Sequence, residues 1–311
     1  MSAVVCVFPG QGSQRVGMAR DLVERHPIAR HTFEEADARL GMALSRLCFD
    51  GPEDALRLTE NAQPAILAAS VAIYRVLEET VGLRPAAVAG HSLGEWSALV
   101  VAGAMELGDA VVGVRERGRA MQAAVAPGLG AMAAVLGLDG DTVAALCAEA
   151  ADGEVVVPAN LNGGGQVLIA GSTGAVDRVV ALAAARGGRS QRLAVSAPFH
   201  CPLMAPAADA LARHLATVRL RDPRLPVVTS VDARVVRGGG ELRDLLVRQV
   251  TAPVRWEETM RVLAGLGAKV VVETGPGRVL TGLARRIVPG VTALSAGAAG
   301  DIESVREALA A

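Results

Sequence analysis

A serine flanked by glycines, between two apolar segments, constrains the fold of this chain more than any other feature. Gly90-His91-Ser92-Leu93-Gly94 follows the apolar residues 86–89 and precedes a helix-like segment over 95–103. A buried strand that turns directly into a helix needs glycines beside the turn, because Cβ atoms there would clash. The pattern predicts a strand–turn–helix unit that holds the Ser92 hydroxyl at a helix N-terminus, where backbone N–H groups stabilise an oxyanion.

Composition limits the class of protein. The 311 residues are 51% hydrophobic but only 2% aromatic, so a core of Ala, Val and Leu is expected, as in α/β proteins with buried parallel strands. The formal net charge of −1 gives no overall attraction to nucleic acid or to a membrane. The four cysteines lack metal-ligand spacing, so we expect no metal site and a reducing, cytoplasmic location.

The pattern of apolar and polar residues changes near Pro127-Gly128. From there to residue 195, short β-like segments and two helices follow the order β-α-β-β-α-β, which is typical of a ferredoxin-like unit. We therefore predict a large α/β domain of residues 1–126 and 196–311 and an inserted subdomain of residues 127–195. Before the insertion, Pro64 is predicted to begin a helix that ends at Thr80.

Ser92 needs a general base, because a serine hydroxyl is a poor nucleophile near neutral pH. His91 adjoins it but is expected to point away from the hydroxyl and to line the mouth of the site. His200 lies between prolines at the junction with the inserted subdomain, which suits a base, whereas a core histidine with satisfied hydrogen bonds is the alternative. The other histidines lie on polar helical stretches and are assigned to the solvated surface: His26, His31 and His214.

Arg117 is the second candidate functional residue. On the helix predicted from Gly108, it falls on the apolar stripe that includes Val114 and Met121. A buried guanidinium requires an anionic partner. That partner is either a protein carboxylate or the carboxylate of an acidic substrate, unless the side chain extends its charged end to solvent.

Several motifs occur together along the chain, and in order they are Phe8-Pro9-Gly10-Gln11-Gly12-Ser13-Gln14, Gly90-His91-Ser92-Leu93-Gly94-Glu95, Val114-Arg115-Glu116-Arg117-Gly118, Ala197-Pro198-Phe199-His200, Gln249 with Pro253-Val254-Arg255-Trp256, and Glu273-Thr274-Gly275-Pro276-Gly277. This series resembles the malonyl-CoA:acyl carrier protein transacylases, the acyltransferases of fatty acid and polyketide synthesis. The resemblance covers essentially the whole chain. It implies an α/β fold in which a large α/β-hydrolase-like domain with a parallel sheet carries an inserted, smaller ferredoxin-like subdomain.

The resemblance also implies catalytic roles. Ser92 would carry the acyl group, His200 would act as the base, and the backbone carbonyl of Gln249 would orient the imidazole. Backbone N–H groups of Gln11 and Leu93 would form the oxyanion hole, which agrees with a donor expected just after the nucleophile.

The substrate-binding positions follow in the same way. Arg117 would bind the free carboxylate of a malonyl group, with further substrate contacts from Gln63, His91, Phe199 and Asn160. Bulk at Leu93 and Phe199 resembles the malonyl-selective pattern, although one methyl group is worth only about 1–3 kcal/mol. The chain departs from the family at Trp96, where Tyr is common, and in the glycine-rich segment 161–166, which is expected to loosen a loop near Asn160 and Asn162.

The implied reaction is a ping-pong transfer of malonyl from malonyl-CoA, through Ser92, to the phosphopantetheine thiol of an acyl carrier protein. No cofactor, metal, nucleic acid or membrane is expected to take part, and a cytoplasmic monomer is expected. Alternatives remain within the family, namely an acyltransferase for another acyl unit or for a polyketide assembly line, and a malonate decarboxylase transacylase. A serine esterase or thioesterase and a non-enzymatic carrier-binding module are further alternatives.

Overall fold

Two β-sheets organise the protein. A computed structural model describes residues 3–195 and 197–310, so Ser196, where the predicted second segment of the large domain begins, lies outside the described residues, as do residues 1, 2 and 311. The strands are β1 Ala3–Phe8, β2 Ala87–Gly90, β3 Gly130–Leu136, β4 Val156–Gly163, β5 Gln166–Ser172, β6 Arg189–Arg192, β7 Val227–Val228, β8 Val235–Val236, β9 Ala268–Thr274 and β10 Thr292–Ala296.

Helices cover both faces of the larger sheet and one face of the smaller sheet. They are α1 Arg20–Arg25, α2 Pro27–Leu40, α3 Leu44–Asp50, α4 Glu53–Arg57, α5 Thr59–Val81, α6 Gly94–Val101, α7 Leu107–Ala123, α8 Gly140–Ala150, α9 Thr173–Ala185, α10 Ala205–Leu215, α11 Leu242–Arg248, α12 Trp256–Gly265, α13 Val279–Ile287 and α14 Ile302–Ala310. Short 3₁₀ turns occur at Pro202–Met204, Gly239–Glu241 and Ala299–Asp301.

The larger sheet has the strand order β10-β9-β1-β2-β7-β8 and is parallel except for β8. Its central strand β1 is buried on both faces, because Cys6 and Phe8 pack against the layer that contains α5 and α7, and Val5 and Val7 pack against α12 and α13. This is the three-layer α/β arrangement predicted from the apolar, Ala- and Val-rich strands. The loops after β1 and β2 leave the same edge of the sheet, where sites form in open parallel sheets.

The smaller sheet is antiparallel, with the order β4-β5-β3-β6. Its order and its β-α-β-β-α-β connections confirm the predicted ferredoxin-like topology. Strand β3 alternates between two environments: Ala131, Ala133 and Val135 pack under α8 and α9, while Met132 faces the core of the larger unit. The face of the smaller sheet that α8 and α9 do not cover therefore packs against the hydrophobic core of the larger sheet and its helices.

Three sequence-based predictions differ from the structure. Helix α5 begins at Thr59, not at Pro64, because its first turn packs directly against Gly118 of α7. A Cβ on Gly118 would lie only 2.7 Å from the Thr59 carbonyl oxygen. Strand β4 continues to Gly163, so Asn160 and Asn162 lie on a strand and not in a loop. Helices α3, α13 and α14 and strands β8 and β10 were not predicted. Within residues 3–195 and 197–310, no helix is long and apolar enough to cross a membrane.

Candidate active site

The turn between β2 and α6 has the predicted strand–turn–helix form. Ser92 has a φ of 52°, in the left-handed region that is unusual for a residue with a side chain. A Cβ at Gly90 would overlap the backbone of Gly94, and a Cβ at Gly94 would overlap the carbonyl oxygen of Phe8. Both glycines are therefore required sterically, because β1, β2 and α6 approach one another too closely for side chains.

Ser92 and His200 are hydrogen-bonded, although 108 residues separate them. Ser92 Oγ lies 2.7 Å from His200 Nε2. His200 Nδ1 lies 2.8 Å from the Gln249 carbonyl oxygen and 3.2 Å from that of Ala252. Since both neighbours of Nδ1 only accept, Nδ1 carries the proton, and Nε2 is left to accept a hydrogen bond from the serine hydroxyl.

The environment of His200 keeps the imidazole neutral. Burial lowers its pKa from 6.5 to about 3, and the positive charge of Arg117 acts in the same direction. The carbonyl partners of Nδ1 oppose this shift only in part. A neutral imidazole with Nε2 facing a hydroxyl is the protonation state that a general base requires.

Arg117 lies on the buried stripe of α7, as predicted, and its side chain reaches the serine. The residue is 2% exposed. Its Nη1 donates to Gln63 Oε1 at 2.8 Å, and its Nη2 donates to Ser92 Oγ at 3.1 Å and to Gln249 Oε1 at 3.0 Å. Burial lowers the pKa of Arg117 to about 10, so the guanidinium remains charged near neutral pH.

Arg117 forms no direct salt bridge among the described residues, and its guanidinium is not exposed to solvent. Both alternative predictions for it are therefore wrong. Among residues 3–195 and 197–310, no carboxylate lies within 4.0 Å of its guanidinium, and its Nε is buried without a hydrogen-bond partner. Its direct acceptors are therefore a hydroxyl and two neutral amides. A buried cation with only neutral acceptors can still bind an anionic ligand.

Glu95 is a buried polar residue that the sequence reasoning did not single out. Its Oε2 accepts hydrogen bonds from Ser230 N at 2.8 Å, Ser230 Oγ at 2.7 Å and Gln249 Nε2 at 3.0 Å. Burial raises the pKa of Glu95, while these donors and the Arg117 charge oppose the rise. An acidic residue in a helix whose other side chains are apolar or small, Gly94–Val101, was the available signal.

Gln249 contributes more than its predicted backbone carbonyl. Its amide oxygen accepts from Arg117, and its amide nitrogen donates to Glu95 and, at 3.2 Å each, to the Ser92 carbonyl and Ser230 Oγ. The residue is completely buried. One side chain thus joins the serine turn to the arginine and the glutamate.

The loop after β1 packs against the serine turn. A Cβ on Gly10 would lie 2.7 Å from the His91 carbonyl oxygen, which places the next residue, Gln11, beside the turn. Gln11 Nε2 donates to Thr59 Oγ1 at 3.2 Å. Within the described chain, the backbone N–H groups of Gln11 and Leu93 donate to no protein acceptor. The loops that contain Gln11 and Leu93 therefore meet at the same edge of the larger sheet, and the oxyanion role of the two N–H groups stays a prediction.

The remaining predicted residues surround this centre at the boundary between the sheets. His91 Nε2 lies 2.9 Å from Asn162 Oδ1, its ring centroid is 5.5 Å from that of Trp256, and burial lowers its pKa. Asn160 forms a parallel bridge with Val254, in which the Val254 N–H donates to the Ala159 carbonyl and the Leu161 N–H donates to the Val254 carbonyl. The Oδ1 of Asn160 is buried with no partner in the described chain. Phe199 is buried directly before His200.

The other histidines lie away from the serine. His31 is exposed and pairs with Glu34, whereas His26 is half-buried. His214 is only half-exposed, so the surface prediction holds in part: its Nε2 is buried without a partner among the described residues and lies near Gly113 of α7.

Comparisons with known proteins agree with this geometry. A sequence model of the family described as "Acyl transferase domain" matches residues 5–307. The malonyl CoA-acyl carrier protein transacylase of Escherichia coli (strain K12) is 50% identical over 294 residues, 94% of this chain and 95% of that protein.

Solved structures give the same result. The malonyl CoA-acyl carrier protein transacylase of Coxiella burnetii matches with a TM-score of 0.96 at 41% identity, over 98% of this chain and 97% of that one. A malonyl-transacylase in complex with its type II PKS acyl-carrier protein matches with a TM-score of 0.96 at 45% identity, over 99% and 100% of the two chains. Because the family match extends over nearly the whole sequence and the fold agrees throughout, this chain belongs to the acyltransferase family and is an acyltransferase.

Proposed function

We propose that this acyltransferase moves a malonyl group from malonyl-CoA to the phosphopantetheine thiol of an acyl carrier protein, through a malonyl ester on Ser92. The observation that carries the proposal is the buried Arg117 guanidinium, which contacts the Ser92 hydroxyl and has no carboxylate within 4.0 Å in the described chain. A fixed positive charge beside the nucleophile suits an acyl group with a free carboxylate. The relatives named for malonyl CoA and acyl carrier protein support this substrate pair.

In the first half-reaction, His200 Nε2 removes the Ser92 proton as Oγ attacks the thioester carbonyl of malonyl-CoA. The tetrahedral oxyanion accepts hydrogen bonds from the backbone N–H groups of Gln11 and Leu93. Collapse of this intermediate breaks the carbon–sulfur bond, and the CoA thiolate takes the proton from His200. The Gln249 carbonyl stabilises the imidazolium that forms transiently, because it accepts from Nδ1 at 2.8 Å.

The second half-reaction reverses this sequence with a different thiol. His200 removes the proton of the phosphopantetheine thiol, the sulfur attacks the malonyl ester, and Ser92 leaves with the proton returned from the imidazole. Malonyl is thus retained on a thioester in both substrate and product, so the transfer requires no cofactor.

Arg117 is proposed to bind the malonyl carboxylate in both steps, with Gln63 fixing the guanidinium through Nη1. When the carboxylate binds, Nη2 exchanges its contact with the serine hydroxyl for one with the substrate, which frees Oγ for attack. Bulk at Leu93 and Phe199 is proposed to disfavour an α-methyl branch. Substrate contacts of Gln63, His91 and Asn160 remain predictions.

The proposal also includes a cytoplasmic monomer. The four cysteines are free and buried, which suits a reducing compartment. The monomeric state rests on the family resemblance alone.

The test is malonyl transfer from malonyl-CoA to a carrier protein that bears phosphopantetheine, followed by mass spectrometry of the carrier. The wild-type protein should add one malonyl group, and a carrier without phosphopantetheine should remain unmodified. Ser92→Ala should be inactive, whereas Ser97→Ala, a matched change at a buried serine of α6, should retain transfer. Release of free malonate without transfer would contradict the proposal and indicate a hydrolase.

A further inference from the structure

The buried charge of Arg117 needs a counter-charge that its direct contacts do not supply. Its acceptors are Gln63 Oε1, Ser92 Oγ and Gln249 Oε1, all of them neutral. An uncompensated guanidinium at 2% exposure would destabilise the folded protein strongly. The free protein must therefore hold a negative charge nearby that leaves the guanidinium accessible.

Glu95 is placed to supply that charge through one intervening amide. Arg117 Nη2 donates to Gln249 Oε1 at 3.0 Å, and Nε2 of the same amide donates to Glu95 Oε2 at 3.0 Å. Glu95 is completely buried, and within the described chain no arginine, lysine or histidine lies within 4.0 Å of it. Arg117 is the cation that acts on it.

Burial raises the pKa of Glu95, and Arg117 together with two further features opposes this rise and favours the ionised carboxylate. Three donors converge on Oε2, two from Ser230 and one from Gln249, and each stabilises a carboxylate oxygen. Glu95 is also the second residue of α6, which spans the eight residues Gly94–Val101, so the helix N-terminus favours negative charge there.

We infer that Glu95 is a positioning residue, which neutralises Arg117 through the Gln249 amide and leaves the guanidinium free to bind the substrate carboxylate. The inference rests on the proposed function for its role in malonyl binding. A direct Glu–Arg pair would occupy the guanidinium donors, whereas the relayed pair leaves Arg117 Nε without a partner in the described chain. The same negative charge opposes the incoming malonyl carboxylate, so it keeps binding reversible.

The first test is a double-mutant cycle followed by thermal unfolding. Glu95→Gln keeps an acceptor for all three hydrogen bonds and replaces the unpartnered Oε1 with NH₂, so it removes little except the charge. Arg117→Met removes the opposite charge. If the charges compensate one another, the double variant should unfold at least roughly 5 °C above the value expected from adding the two single shifts.

Additive shifts would overturn the inference, because they would show that each residue stabilises the fold independently. The cycle remains decisive if Glu95→Gln alone does not fold. In that case recovery of a folded double variant supports the inference, and failure of the double variant when Arg117→Met alone folds overturns it.

The second test separates charge from hydrogen bonding in substrate binding. Glu95→Gln should lower the KM for malonyl-CoA by about tenfold, because it removes a buried negative charge near the carboxylate, and should change the KM for acetyl-CoA less than about twofold. Equal changes for both substrates, or no change for either, would overturn the inference. Failure of the wild-type protein to form a malonyl ester would refute the proposed function, and the unfolding cycle would still test the charge pair.

Discussion

Replacement of Arg117 by methionine should separate malonyl from acetyl chemistry. Methionine keeps an unbranched aliphatic side chain at this buried position of α7 but removes the guanidinium that contacts Gln63, Ser92 and Gln249. The malonyl carboxylate therefore loses its cationic partner, whereas acetyl-CoA has no carboxylate and loses no such contact.

The size of the effect follows from burial. Two unit charges about 4 Å apart interact by about 4 kcal/mol at an effective dielectric constant of about 20, and the 2% exposure of Arg117 argues against strong screening by solvent. Each 1.36 kcal/mol corresponds to about tenfold, so kcat/KM for acylation of Ser92 by malonyl-CoA should fall by roughly a thousandfold. The rate with acetyl-CoA should change by less than about tenfold.

The assay is the rate of acyl-enzyme formation with each thioester, measured by rapid quench and intact mass. Arg119→Met is the matched control, since Arg119 lies on the same helix but is largely exposed and pairs with Glu60 and Glu116. The control should keep both activities. Equal losses with malonyl-CoA and acetyl-CoA in Arg117→Met would contradict a carboxylate-binding role and show that Arg117 only supports the fold.

Three further predictions concern the base and the turn. Because burial and the Arg117 charge lower the pKa of His200 to about 3, the imidazole is unprotonated well below neutrality. The acylation kcat/KM should therefore stay level from pH 7 to pH 5, and a tenfold loss per pH unit below 6.5 would indicate an ordinary imidazole. His200→Ala should reduce acylation by at least about a hundredfold with an unchanged circular dichroism spectrum, and near-normal rates would exclude it as the base. Gly94→Ala should destabilise the protein by more than about 3 kcal/mol in thermal unfolding, because the new Cβ overlaps the Phe8 carbonyl, whereas Gly282→Ala, with open space around it, should be neutral or slightly stabilising.

Features encoded locally could be predicted from the sequence. The turn at Ser92 depends on adjacent glycines, and the burial of Arg117 follows from its position on an apolar helical stripe. The order of strands and helices in the inserted segment likewise indicated its topology. The partners Ser92 and His200 were paired by their chemistry and the family resemblance, since 108 residues separate them.

The Glu95–Gln249 contact could not be predicted in the same way. The two residues are 154 positions apart, and only the packed core shows that both are buried and that one amide joins them to Arg117. The glycine-rich segment 161–166 predicted a loop near Asn160 and Asn162, because glycine is depleted in strands, yet pairing with β5 and Val254 extends strand β4 through them. Helix α13 was missed although Leu280, Leu283 and Ala284 carry a helical period.

In the proposed reaction, Ser92 carries a malonyl group between two thiols. The most direct measurement is intact-mass spectrometry of the protein after brief exposure to malonyl-CoA, with peptide mapping, and again after addition of a carrier protein that bears phosphopantetheine. One malonyl adduct should form on Ser92 and disappear as the carrier gains the same mass. An adduct on another residue, or free malonate with no adduct and no transfer, would contradict it.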